Sequence, residues 1–215
     1  MAIRFSLEHQ KIGDKTISLY IPDPILVREE YLSKKKSDPE TDFPYWSQLW
    51  PAATGLSIFL DKHPNYIKDK KVVEMGAGVG LPSFYAATIA KEVIATDYLP
   101  VIVECLEASA YYNKLTNFRS AILDWNTITT VPDTDVLLIS DINYDPLSFD
   151  VIQEVIEKFI DQGTVVLLAT PQRLMAKYFL NRLADKCLYK EVVVVEKENG
   201  EVAISVWVLG SKGNQ

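Results

Sequence analysis

The residues best suited to do chemistry in this 215-residue chain follow a short apolar run. Val72 and Val73 lead to Glu74, and Gly76, Gly78 and Gly80 then alternate with Ala77 and Val79 before the apolar segment that opens at Leu81. Such a pattern reads as strand, tight turn and helix. Glycine lets the backbone turn sharply and lets a ligand approach where a Cβ would collide. The helix that follows offers unpaired N–H groups and the positive end of its dipole. In dinucleotide enzymes those groups hold a pyrophosphate. Here the spacing is G-x-G-x-G rather than G-x-G-x-x-G, and Glu74 would repel a pyrophosphate and attract a cation. The stretch therefore predicts a site for a nucleotide-like ligand. A strand that turns into a helix with no ligand is the other reading, because glycine motifs are weak alone.

Two further acidic positions fall where such a site would use them. Lys91–Asp97 reads as the next strand, and Asp97 ends it about twenty residues past the turn, where a carboxylate can accept hydrogen bonds from both ribose hydroxyls. Thr134–Ser140 is a continuous apolar run, as expected of a central parallel strand buried on both faces. It delivers Asp141-Ile142-Asn143-Tyr144 to the carboxyl edge of the sheet, where ligands of open α/β sheets bind. Asp141 is a candidate reacting group there, or else a loop carboxylate capping a turn. Between them, Ser120–Trp125 reads as a third strand ending in Asp124 and Trp125, whose indole suits stacking on a flat heteroaromatic or a place in the core.

The elements that must position these residues are legible in outline. Phe5–Pro22 alternates around Gly13-Asp14, with Ile17, Leu19 and Ile21 at period two, which predicts a hairpin. Tyr31–Asp42 is charged, carries Lys34-Lys35-Lys36 and Pro39, and is expected to be a mobile, solvated segment; the lysine run could also meet an acidic partner. Pro51 suits the first turn of a helix whose apolar face is Leu56, Phe59 and Leu60, with Tyr45, Trp46 and Trp50 as candidate core anchors ahead of it. Helices are expected over Leu81–Ala90, Pro100–Asn113 and Leu147–Gln162, the last closed by Gly163. Thr164–Thr170 reads as a fifth strand, and Pro171 as the start of a helix with Arg173 in its first turn. Glu191–Glu196 and Ala203–Leu209 flank Asn199-Gly200, a strong hairpin signal, so the sheet should end in an antiparallel pair.

Composition narrows the function. The apolar and charged fractions, 48% and 24%, are those of an ordinary soluble protein, and the length suits one substantial core. A formal net charge of −7 argues against a general nucleic-acid binder, so no DNA partner is expected, although a local basic groove for RNA stays open. Cys105 and Cys187, both in segments read as helical and without C-x-x-C spacing, are expected to be buried thiols in a reducing compartment. No metal site is suggested. With neither a signal-like apolar region nor a run long enough to span a bilayer, the expectation is a cytoplasmic protein with no membrane partner.

Glu74-Met75-Gly76-Ala77-Gly78-Val79-Gly80 resembles the first motif of the seven-stranded, Rossmann-like S-adenosylmethionine-dependent methyltransferases. Leu49-Trp50-Pro51-Ala52 and the Asp141-x-x-Tyr144 pair narrow the resemblance to family 16, the non-SET protein-lysine methyltransferases. The resemblance runs from Trp46 to the last strand. It implies an α/β three-layer sandwich: a mostly parallel seven-stranded sheet ending in an antiparallel hairpin, with residues 43–215 as the methyltransferase domain and 1–42 as an amino-terminal hairpin and mobile segment. It implies S-adenosyl-L-methionine as cofactor, contacted by Trp50, by Glu74, Gly76, Ala77, Gly78 and Gly80, by Asp97, by Asp124 and Trp125 at the adenine, and by Ser140. Asp141 and Tyr144 are then the catalytic residues. Transfer to a protein side-chain nitrogen, most simply lysine, follows from the same resemblance; a small-molecule amine, RNA, or a cofactor-binding module without catalysis are the alternatives. The D-x-x-Y pattern departs from the Asn-Pro-Pro-Tyr type of enzymes that methylate amide or base nitrogens, which weighs against DNA or glutamine.

Overall fold

The structure is a computed structural model that describes residues 4–41, 43–142, 146–172, 174–197 and 200–211. It opens with a hairpin, β1 (Phe5–Ile12) and β2 (Lys15–Pro22), followed by helix α1 (Pro24–Ser37). The main layer then alternates: α2 (Pro51–Lys62), β3 (Lys71–Met75), α3 (Leu81–Ala86), β4 (Glu92–Asp97), α4 (Pro100–Tyr112), β5 (Phe118–Ile122), β6 (Val136–Ser140), α5 (Phe149–Asp161) and β7 (Val165–Pro171). Helix α6 (Leu174–Arg182) leads into the antiparallel pair β8 (Cys187–Lys197) and β9 (Gly200–Leu209). The seven-stranded sheet has the order β5-β4-β3-β6-β7-β9-β8. β3 to β7 pair in parallel, whereas β9 runs antiparallel to both β7 and β8. The expected seven-stranded sheet and its terminal hairpin are both present.

Strand periodicity explains the three layers. Successive residues of β6 point to opposite faces, so Leu138 joins the core under α2, α3 and α4 while Leu137 and Ile139 join the one under α5 and α6. Both faces are covered, which is why the strand is apolar throughout rather than alternating. On the other side α5 buries Ile152, Val155, Ile156, Phe159 and Ile160 along one stripe, each such side chain contributing about 1.5–3 kcal/mol of apolar burial.

The hairpin is stitched onto this body. Ile12, Ile17, Leu19 and Ile21 enter the same core as Leu56 and Phe84. Tyr20 donates its N–H to Ser109 Oγ at 2.9 Å, and Asn113 accepts from Ser18 N at 3.2 Å and donates to Ser18 O at 2.6 Å. The Gly13 turn, at φ +57°, approaches Asp61 so closely that a Cβ would stand 2.4 Å from Asp61 Oδ2.

Four expectations are corrected. Tyr31–Ser37 is the second half of α1 rather than a mobile segment: Asp23 caps the helix by accepting from Ile25 N and Leu26 N, Pro24 opens it, Glu30 pairs with Lys34 at 2.7 Å, and the lysines sit in its last turn where the dipole favours them. Its polar face hid it, since only Val27 is buried. Pro171 is the last residue of β7, opposite Ile204, not the start of a helix; proline is tolerated at a strand end. Cys187 begins β8 rather than lying in a helix. The helix after the glycine turn stops at Ala86, and Ala87–Ile89 continue as a turn. Arg173 and Asn199 lie outside the described residues.

Candidate active site

A cavity of about 380 Å³ opens at the carboxyl edge of the sheet, where the ends of β3, β4 and β6 meet the approach to α2. The glycine turn forms its floor through Gly76, Ala77, Gly78 and Val79. Gly76 and Gly78 have φ of +66° and +53°, the left-handed region that favours glycine. A Cβ on Gly76 would stand 3.0 Å from Ile142 Cγ2 and 3.2 Å from Trp125 Cζ3, so the bare backbone is part of the cavity's shape.

Asp97 and Tyr98 line one wall. The Asp97 carboxylate is buried, and it holds the turn in place: Oδ2 accepts from Gly78 N at 3.0 Å and Oδ1 from Leu99 N at 3.2 Å. Burial raises its pKa, and these backbone donors pull it back down. Asp124, Trp125 and Asn126 form the next wall from a turn beyond the end of β5. Asp124 Oδ1 fixes that turn by accepting from Asn126 N at 2.9 Å. Trp125 Nε1 is buried with no hydrogen-bond partner among the described residues, an unsatisfied donor in the wall.

Ser140, Asp141 and Ile142 enter from the end of β6. Asp141 is buried and sits at φ +56°, while its N–H is held by Ala169 O at 2.9 Å. A non-glycine residue kept in that region is strained, and such strain gathers at functional sites. Tyr144 lies outside the described residues.

An aromatic wall completes the mouth. Trp50 donates Nε1–H to Tyr45 O at 2.6 Å, and Tyr31, Phe43, Tyr45 and Trp50 follow one another at centroid distances of 5.3, 4.9 and 6.0 Å. Phe43, Tyr45, Trp46 and Trp50 all line the cavity. Thus Tyr45 and Trp46, candidate core anchors by sequence, line the cavity beside Trp50, which the resemblance puts at the cofactor, and Trp46 also packs against the main core.

Two of the predicted cofactor residues stand outside the lining. Glu74 is 0% exposed beneath the turn, where Oε2 accepts from Ser83 N at 3.0 Å and Ser83 Oγ at 2.5 Å, while Oε1 has no partner among the described residues. Burial pushes its pKa up to about 8, against the pull of the Ser83 bonds. Gly80 opens α3 at φ +79°, and a Cβ there would stand 2.5 Å from Leu106 Cδ2, so its bareness lets α3 approach α4. Phe43, Tyr98, Ile142 and Ser148 line the cavity without having been singled out; Tyr98, next to Asp97, was the one with a sequence signal. Among the described residues no group of three or more His, Cys, Asp or Glu is placed to hold a metal ion.

These residues fit an adenosyl ligand with a cationic end. The volume lies within the roughly 300–1,000 Å³ of small-molecule sites, Gly76 leaves room for close approach, and among the described residues Trp125 offers a free donor and the lining carries carboxylates and no lysine or arginine.

The profile of the family described as lysine methyltransferase matches residues 40–186, more than half of the chain and every element that builds the cavity. The chain belongs to this family. It is 31% identical over 152 residues to protein N-lysine methyltransferase METTL21A of Danio rerio, covering 67% of this chain and 69% of that one. It is 32% identical over 112 residues to histone-arginine methyltransferase METTL23 of Xenopus laevis, covering 49% of this chain and 48% of that protein. The match thus spans about half the length of the METTL23 relatives. Among solved structures, the putative RNA methyltransferase PH1948 from Pyrococcus horikoshii superposes with a TM-score of 0.61 at 16% identity, over 88% of this chain and 98% of that one. The T. thermophilus 16S rRNA N2 G1207 methyltransferase (RsmC) in complex with AdoMet and guanosine gives a TM-score of 0.65 at 15% identity, over 96% of this chain and 51% of that one. At these identities the structures show that this family member has the Rossmann-like methyltransferase fold.

Proposed function

We propose that this protein transfers a methyl group from S-adenosylmethionine to a side-chain nitrogen of a protein, with lysine as the acceptor. The observation that carries the reading is the convergence of Asp97, Trp125 and Asp141 on one cavity floored by Gly76 and Gly78, in a chain of the lysine methyltransferase family. Residues 43–215 are assigned to this activity and 1–42 to an extension of it. The division is one of role, since the hairpin shares the core. Free Cys105 and Cys187 suit action in the cytoplasm.

The bound cofactor would supply an electrophilic sulfonium methyl. Asp97 would hold the ribose, Asp124 and Trp125 the adenine, Trp50 and Ser140 the flanks, and the Gly76–Gly78 backbone the floor. Glu74 and Gly80 would act from behind, by setting the turn and the seat of α3. At an unperturbed pKa near 10.4, deprotonating a lysine at pH 7 costs roughly 4–5 kcal/mol. Entry into a water-poor cavity lowers that cost. Asp141 by itself would raise it, so its role is to attract and orient the ammonium as it arrives, and that of Tyr144 is to aim the nitrogen.

Arginine is a second reading, supported by the relatives named histone-arginine methyltransferase. The deciding experiment is transfer of labelled methyl from S-adenosylmethionine into a cell extract, with protein, RNA and small molecules counted separately and Asp141→Ala as control. Label in discrete protein bands that vanishes with the variant is expected, and amino-acid analysis then separates methyl-lysine from methyl-arginine. Label confined to RNA or small amines would overturn the reading.

A further inference from the structure

Away from the cavity, the outer face of α4 forms a second concavity with Tyr20 of β2. Glu104, Glu107 and Tyr111 follow at helical spacing along it, so their side chains stand on one exposed stripe. Tyr111 is 88% and Tyr112 46% exposed, although burial is the usual use of so much aromatic surface. The Tyr20 ring meets Tyr112 edge-on at 6.2 Å, and both line the groove. The Tyr20 backbone is tied to α4, its N–H donating to Ser109 Oγ and its carbonyl accepting from Cys105 Sγ. Glu104 and Glu107 make no hydrogen bond or ion pair among the described residues, and Lys114 is the one basic side chain in the lining.

We propose that this groove docks a basic segment of the protein substrate, an inference that rests on the proposed methyl transfer to protein. Exposed tyrosine faces attract arginine and lysine, and unpaired glutamates pair with them. The net charge of −7 favours the same encounter, and it would repel an RNA. Geometry connects the groove to the cavity. α4 starts three residues after Asp97 and runs away from it, so at about 1.5 Å per residue Glu104 stands about 6 Å and Tyr111 about 16 Å along the helix from Pro100. An extended chain covers about 3.3 Å per residue. Counting about 10 Å more for the three residues from Asp97, at the cavity, to Pro100, the span is about 16–26 Å, so a substrate with its acceptor in the cavity reaches the groove with basic residues about five to eight positions away.

The test has two arms on the 215-residue chain. In the first, a fluorescein-labelled peptide of alternating Arg and Gly, with no lysine, is titrated by anisotropy into wild type, Glu104→Lys/Glu107→Lys and Tyr111→Ser, with S-adenosylmethionine binding measured on each. The expected result is saturable binding to wild type, weakened about tenfold by the double charge reversal and about fivefold by Tyr111→Ser, with unchanged S-adenosylmethionine affinity. Equal peptide binding by all three proteins, no binding by wild type, or equal binding of a Glu/Gly peptide or a labelled oligonucleotide would each overturn the proposal. In the second arm, lysine peptides with an Arg pair five to eight residues from the lysine should show a lower KM than peptides without it, at similar kcat. The Glu104/Glu107 variant should erase that difference. Transfer that ignores the Arg pair would overturn docking but leave methyl transfer standing. Wild type that binds the Arg peptide in the groove but not S-adenosylmethionine would instead strike the proposed activity.

Discussion

The carboxyl of Glu74 accepts hydrogen bonds from both the backbone N–H and the hydroxyl of Ser83, at 3.0 and 2.5 Å. This ties the end of β3 to the first turn of α3, so the glycine turn between them is clamped from behind. A residue whose sequence position suggests contact with a cationic ligand therefore acts first on the backbone that would meet it.

Glu74→Gln should make the protein more stable at alkaline pH. Burial raises the carboxyl from its ordinary 4.5 to about 8. Because the folded-state value is raised, its favourable contribution is full below pH 4.5 and is lost as pH rises through about 8. Denaturant unfolding at pH 5 and pH 8.5 should show the variant gaining roughly 1–3 kcal/mol on wild type at the higher pH. A stability difference that stays flat with pH would mean that Glu74 is ionised in the native protein throughout.

Gly76→Ala should harm both fold and binding. The new Cβ, at φ +66°, would press on Ile142 and on the Trp125 ring. The strain should cost about 1–2 kcal/mol and narrow the floor of the cavity. We expect a lower Tm and at least about tenfold weaker S-adenosylmethionine binding by titration; unchanged affinity would place the ligand elsewhere.

Asp141 offers a contrast between strain and chemistry. Asn tolerates its left-handed backbone, φ +56°, so Asp141→Asn should keep stability within about 0.5 kcal/mol while methyl transfer falls about a hundredfold. Asp141→Gly should relax the backbone and gain about 1 kcal/mol, again with turnover lost. Full turnover in the Asn variant would remove Asp141 from the mechanism.

Glu191 should report on acid stability at a site remote from the cavity. Lys62 first, then His63 at 2.8 Å and Tyr189 at 3.2 Å hold its carboxyl at about 2. With the folded value depressed, the stabilisation is present above about 4.5 and is lost as pH falls through about 2. Glu191→Gln should cost about 0.5–1 kcal/mol at pH 7, and thermal melts at pH 2 should no longer separate it from wild type.

What could be read in advance followed from local signals. The apolar runs at Val72–Val73 and Thr134–Ser140, the alternate glycines and Gly200 each declare their own conformation, because strand burial and positive φ select residue types directly. Helix α1 escaped because a helix that buries only Val27 needs no apolar stripe, and its support comes from Asp23 and from the Glu30–Lys34 pair. The aromatic wall was visible as composition, but only Trp50 was located, by the family resemblance; nothing in the spacing of Tyr45 and Trp46 distinguishes a core anchor from a cavity wall.

The sequence by itself determined the strands of the parallel sheet, most of the helices between them, the α/β class and the family motifs, since these depend on neighbours a few residues apart. Only the tertiary structure decided that Asp97 at the end of β4, Trp125 on the turn beyond β5 and Asp141 just past β6 share one cavity, while Glu74 and Gly80, inside the glycine motif, lie outside its lining. That choice rests on strand order and on which face each side chain takes, and both are settled by burial against elements distant in the chain.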